Sequence, residues 1–246
     1  TINNATPTDN GTYCVTVEID GCLSETVCTD VEVKPTPIAP VVSNNGPLCE
    51  GEDLELNVDE VAGATYSWTG PNGFSSTLSN PSIADANPSH SGSYCVIITI
   101  DGCESEEICT DVLIKPTPGT PVVGNNGPLC EDETLELSAS DVTGATYSWT
   151  GPNGYTSTDQ NPVISNATPA NNGTYCVTVE IDGCLSETVC TDVEVKPTPN
   201  TPVIASNAPI CEGEDLNLTT DAVAGATYSW TGPNGYTSSL QNPTIS

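Results

Sequence analysis

The chain has 246 residues, with 33 Asp and Glu against 3 Lys and Arg, for a formal charge of −30. Such a surface repels nucleic acid and anionic lipid, and no apolar run suits insertion into a membrane, so neither is expected as a partner. A hydrophobic content of 36%, with 12 Cys, one His and no CxxC pair, argues for small disulfide-stapled domains in an oxidising, extracellular setting rather than for a zinc site.

Read from the N-terminus, the chain repeats itself every 81 residues without an insertion. The octapeptide YSWTGPNG starts at Tyr66, Tyr147 and Tyr228, and the linker KPTP at Lys34, Lys115 and Lys196. All twelve cysteines keep the same step. A fixed period of this length signals one small domain copied in tandem. The linkers place residues 1–34 as the tail of one repeat, 38–115 and 119–196 as complete repeats, and 200–246 as the head of another. Prolines two residues apart favour extended polyproline II, so short stiff connections and a rod or fibre are expected.

Within 38–115, Leu54, Leu56 and Val58 alternate with Glu55 and Asn57, a strand with one buried face. Tyr66 and Trp68 alternate next, and Gly70-Pro71-Asn72-Gly73 turns the chain. Tyr94 to Ile100 is the strongest strand, Asp101-Gly102 marks a hairpin, and Ile108, Val112 and Ile114 form the return. About seven short strands and no helix predict an all-β, antiparallel sandwich.

Gly51-Glu52-Asp53 before the first strand, the lone Trp68, and Gly92-Ser93-Tyr94 opening the long strand together resemble an immunoglobulin-like domain. The resemblance implies strand B, the core Trp of strand C and the tyrosine corner of strand F, with strand G returning. It assigns Trp68, Trp149 and Trp230, with Tyr13, Tyr94 and Tyr175, to cores. In antibody-type domains the strand-F cysteine stands two residues after the corner tyrosine. Here Val96 holds that place, and Cys95 follows Tyr94 directly. Alternation turns Cys95 outward, and a three-residue turn over Asp101 to Cys103 sets it opposite an outward Cys109. Cys95–Cys109 is therefore predicted to bridge, with Cys14–Cys28 and Cys176–Cys190 as copies.

The remaining cysteines resemble the "CxG … GC" pair in Ig-like repeats of large secreted Bacteroidetes surface proteins, through Leu48-Cys49-Glu50-Gly51 and Asp101-Gly102-Cys103. That resemblance implies Cys49–Cys103 and its copy Cys130–Cys184. The rival connectivity joins Cys49 to Cys95 and Cys103 to Cys109. It also implies export by the type IX pathway and a place at the cell surface.

No nucleophile–base arrangement recurs, and with one His no Ser-His-Asp or Cys-His site repeats with the domain, so an enzyme is not expected. No cofactor is implied. The sequence assigns no metal ligands, and the acidic surface leaves calcium as a candidate between domains. Phe74, Tyr155 and Tyr236, just after each GPNG turn, are candidates to face a ligand, a surface glycan or protein. His90 has Asn171 as its counterpart and reads as a solvated loop residue. There is no Met or Arg, and every Lys precedes Pro, which suits long life among proteases outside the cell. The expected role is the structural repeat region of an extracellular bacterial fibre or adhesin stalk. Two others stand beside it: a multivalent binding array, and a filament subunit whose 200–246 head is completed by the 1–34 tail of the next copy. The partners are thus copies of itself or further repeats of a longer chain.

Overall fold

The computed structural model describes all 246 residues and contains strands and short 3-10 turns only. In the first complete repeat, Leu54–Val58 lies between Val42–Asn44 and Ser82–Ile83 in one sheet. The facing sheet runs Ser75–Ser76, Thr65–Thr69, Gly92–Ile100, Ile108–Val112. Near the cis peptide Gly46–Pro47 the first strand changes sheets, and Leu48–Cys49 then pairs in parallel with Ile114–Lys115. This is the Ig-like sandwich, and residues 119–196 repeat it, from Leu129–Cys130 against Val195–Lys196 to Gly173–Ile181 against Val189–Val193.

Alternation decides what is buried. Leu54, Leu56, Trp68, Tyr94, Val96 and Ile98 close one core, and Leu135, Leu137, Trp149, Tyr175, Val177 and Val179 the other. Both tyrosine corners form: Tyr94 Oη donates to the His90 carbonyl at 2.9 Å, and Tyr175 Oη to that of Asn171 at 3.1 Å. His90 is thus not merely solvated, because its Nδ1 also accepts from the Asn87 N–H.

The hairpin between the last two strands differs from expectation. Ile100 faces Cys103, so the turn holds two residues, with positive φ at Asp101 and Gly102 as Asp-Gly turns favour. Register is restored by a bulge. Ser105 Oγ accepts from the Ile98 N–H at 3.1 Å, an extra residue follows, and Cys95 then stands opposite Cys109. The two Cα atoms are 4.0 Å apart and the sulfurs are joined, as they are for Cys14–Cys28 and Cys176–Cys190.

The outer segments form half-sandwiches. Residues 1–34 supply only the last hairpin, so Tyr13 is 40% exposed rather than in a core, and Val15 and Val17 are exposed with it. Residues 200–246 supply only the earlier strands, and Trp230 is half-buried where Trp68 is 1% exposed. Tyr13 still makes the corner bond, its Oη donating to the Asp9 carbonyl at 2.8 Å, and no facing strand covers Tyr13 or Trp230 here.

Candidate functional site

The most organised non-core feature lies where one complete sandwich meets the next. Leu48–Cys49 is held beside Ile114–Lys115, so Cys49 sits at the pole where its sandwich hands the chain to the linker. Cys184 follows the Asp182-Gly183 turn at the opposite pole of its own sandwich. The two sulfurs are bonded, with Cα atoms 5.6 Å apart and 135 residues between them in sequence. Cys184 is 1% exposed there.

The expected pairs Cys49–Cys103 and Cys130–Cys184 do not form. Cys49 is level with the start of the nine-residue strand Gly92–Ile100, and Cys103 stands just beyond its end. The two are separated by about 30 Å of strand, far beyond disulfide reach. The rival set, Cys49–Cys95 with Cys103–Cys109, does not form either, because Cys95 and Cys109 are bonded to each other. Stacking sandwiches end to end brings the lower pole of one against the upper pole of the next, which is where the sequence separation grows by one repeat. Cys22, Cys103, Cys130 and Cys211 are free.

A second contact crosses the same boundary. Lys115, the residue paired with Cys49, donates from Nζ to the Asp182 carbonyl at 2.7 Å. Lys34 repeats it to the Asp101 carbonyl at 3.1 Å. The positive-φ turn tips that carbonyl outward, where a cation satisfies it. Pro118 in the intervening linker is buried. Reading the Lys-Pro steps only as protection from proteases missed this role. The available signal was that all three cations of a very acidic chain occupy one repeat position.

The aromatic residues after the GPNG turns do not form a binding face. The Phe74 ring packs edge-on against Tyr94, with centroids 5.3 Å apart, and Tyr155 against Tyr175 at 5.4 Å. Burial pushes the Tyr94, Tyr155 and Tyr175 hydroxyls above the ordinary tyrosine range. A hydrogen bond from Ser157 partly offsets this at Tyr155. Tyr236 is half-buried in the terminal half-sandwich, which contains no corner tyrosine for it to cover. Gly70 and Gly151 explain the glycine of the turn: a Cβ on either would lie 2.5 Å from the corner tyrosine ring.

For calcium, no cluster of carboxylates converges. The one grouping of metal-type ligands is Cys95, Glu107 and Cys109, whose sulfurs are bonded to each other. A polar hollow of about 570 Å³ beside Asn125 is open to solvent. Asn125 Nδ2 spans it to Thr191 Oγ1 at 2.7 Å and to the Asp192 carbonyl at 3.0 Å, and Asn44 does the same with Thr110 and Asp111. The hollow is therefore a pinned strand crossing.

No protein-family model and no curated protein matches the chain. Solved structures do. Murine CEACAM1b aligns at 11% identity over 64% of this chain and all of its own, with a TM-score of 0.38. A marsupial T cell receptor aligns at 12% identity over 80% of this chain and 90% of its own, with a TM-score of 0.44. The three N-terminal domains of the bacteriophage RB49 Hoc capsid protein align at 19% identity over 85% and 78%, with a TM-score of 0.32. The chain is an all-β tandem of Ig-like, disulfide-bearing sandwiches.

Proposed function

We propose that the chain is a load-bearing spacer, the repeat region of an extracellular bacterial fibre or adhesin stalk. The Cys49–Cys184 bridge carries this reading: the disulfide ties one sandwich to its neighbour instead of stapling either internally. The Lys115 contact and buried Pro118 secure the same boundary, so the hinge is closed covalently, electrostatically and sterically. The chain's resemblance to secreted Bacteroidetes repeats supports attachment at a cell surface after type IX export. A ligand-binding array has less support, because the aromatic residues that would have served it cover the corner tyrosines.

The angle between the two complete sandwiches, measured by electron microscopy of single particles, tests the proposal. The oxidised chain is expected to show one narrow distribution, and Cys49→Ser a broad one. Equally broad distributions would overturn the spacer reading.

A further inference from the structure

We infer that Lys115 is the positioning residue for the boundary disulfide: its ammonium docks the Asp182-Gly183-Cys184 turn on the Leu48–Cys49 strand while the sulfurs are still reduced, and so selects Cys184 as the partner of Cys49. The inference rests on the bridged boundary of the spacer reading and assigns the residue that builds it.

Each half of the contact is built inside its own sandwich. Cys49 stands opposite Lys115 in the parallel strand pair. The Cys49 N–H donates to the Glu52 carboxylate at 2.6 Å, and the Lys115 carbonyl accepts from the Glu50 N–H at 2.8 Å. Just before the lysine, Ser91 Oγ accepts from the Ile114 N–H at 2.8 Å. These bonds hold Cys49 and Lys115 side by side as a fixed platform. On the other side of the boundary, Ile181 pairs with Cys184 and closes the two-residue turn. None of these bonds involves a sulfur, so platform and turn need no bridge to form.

Three consecutive residues of the turn meet that platform. The Asp182 carbonyl takes the Lys115 ammonium at 2.7 Å, the Gly183 carbonyl oxygen lies 3.8 Å from Cys49 Sγ, and Cys184 carries the bonded sulfur. Lys115 and Cys49 are neighbours across the strand pair, and Asp182 and Cys184 are two residues apart along the turn. Closing the lysine contact therefore brings the two sulfurs together. The acceptor matters as much as the donor. A lysine is a flexible point charge, and 33 acidic side chains offer it many loose partners. A backbone carbonyl fixed in a tight turn, and unused by the strand ladder, offers it one partner in one place. Lys34 makes the same contact to Asp101, again 67 residues on, so the contact belongs to the repeat.

The bridge forms by exchange with a small-molecule disulfide. In the closed boundary Cys49 is half-buried and Cys184 is 1% exposed, so the Cys49 thiolate attacks the reagent, forms a mixed disulfide and releases one small thiol. The Cys184 thiolate then attacks the Cys49 sulfur and releases the other. Two protons and two electrons leave the protein thiols and reduce the reagent to two thiols. The lysine contact acts on the second step, by raising the effective concentration of Cys184 at that sulfur.

The test equilibrates the dilute full chain with mixtures of reduced and oxidised glutathione, quenches with acid and maps the peptic peptides. This gives an effective concentration for each bridge. Lys115→Met keeps the aliphatic stem and removes the donor. It should lower the Cys49–Cys184 value about tenfold, the fold-change expected for one hydrogen bond from a charged donor. Cys95–Cys109 and Cys176–Cys190 should be unchanged, which also reports that both sandwiches fold. Lys34→Met removes an equal charge at the other boundary and should leave all three bridges as they are. Undiminished Cys49–Cys184 pairing in Lys115→Met, an equal fall from Lys34→Met, or a fall shared by the two bridges within sandwiches would overturn the inference. If the wild-type chain yields no Cys49–Cys184 peptide, the spacer reading itself fails; if wild type and Lys115→Met yield it equally, only the positioning role fails.

Discussion

Pulling the chain from its ends gives the sharpest test of the boundary bridge. With Cys49 joined to Cys184, the intervening chain cannot lengthen however completely the two sandwiches unfold. Cys49→Ser removes that limit. Of the 135 residues of separation, the 14 spanned by Cys95–Cys109 and the 14 spanned by Cys176–Cys190 stay hidden, which leaves 107. At roughly 3.5 Å per extended residue, the variant should end about 370 Å longer than the wild type. Full reduction should open the Cys14–Cys28 loop as well as the whole separation, for about 520 Å on the same scale. Force–extension curves on single molecules, with free thiols alkylated to keep copies apart, resolve such differences. Cys184→Ser should match Cys49→Ser, and Cys103→Ser should change nothing. Length released by Cys103→Ser would refute the reasoning and restore pairing within a repeat.

Other outcomes follow from the sandwiches themselves. Gly151→Ala should destabilise its sandwich by about 1–3 kcal/mol through the clash with Tyr175, measured by chemical denaturation. Replacing Cys95 and Cys109 together by Ser should cost about 3 kcal/mol in the chain-entropy treatment of a short loop, measured the same way. Burial raises the Tyr94 and Tyr175 pKa values in the folded state, so the folded form holds those protons more tightly. Their contribution is complete below the unfolded value of about 10 and is lost as pH rises through the folded values. Thermal melts of alkylated protein should therefore weaken above about pH 10, and Tyr94→Phe should blunt that loss while costing about 1 kcal/mol at neutral pH for its bond to His90.

Much of this was legible because strands announce themselves by alternation. Tyr94, Val96 and Ile98 face the core and Cys95 does not, which is enough to bring Cys95 to Cys109 once a hairpin is assumed. The turn was read one residue too long. The error cancelled because Ser105 anchors a bulge whose extra residue restores the register, and a lone buried Ser has no periodic signature. The role of Phe74 and Tyr155 was not legible, since a residue after a turn points toward ligand or tyrosine according to what lies across from it.

By itself the sequence determined the 81-residue repeat, the strand faces, the outward cysteines and the acidic surface, because each depends on neighbours along the chain. Tertiary structure decided which distant groups meet. YSWTGPNG is identical in all three copies, yet its strand covers Thr65–Thr69 and Thr146–Gly151 in complete sandwiches and only Trp230–Thr231 in the half-sandwich. The octapeptide is equally able to form the strand each time; what differs is whether another strand stands beside it to accept its hydrogen bonds. Cys49 follows the same logic. Its partner was settled by which pole of which sandwich lies against it, and that is a property of stacking in space that spacing along the chain does not contain.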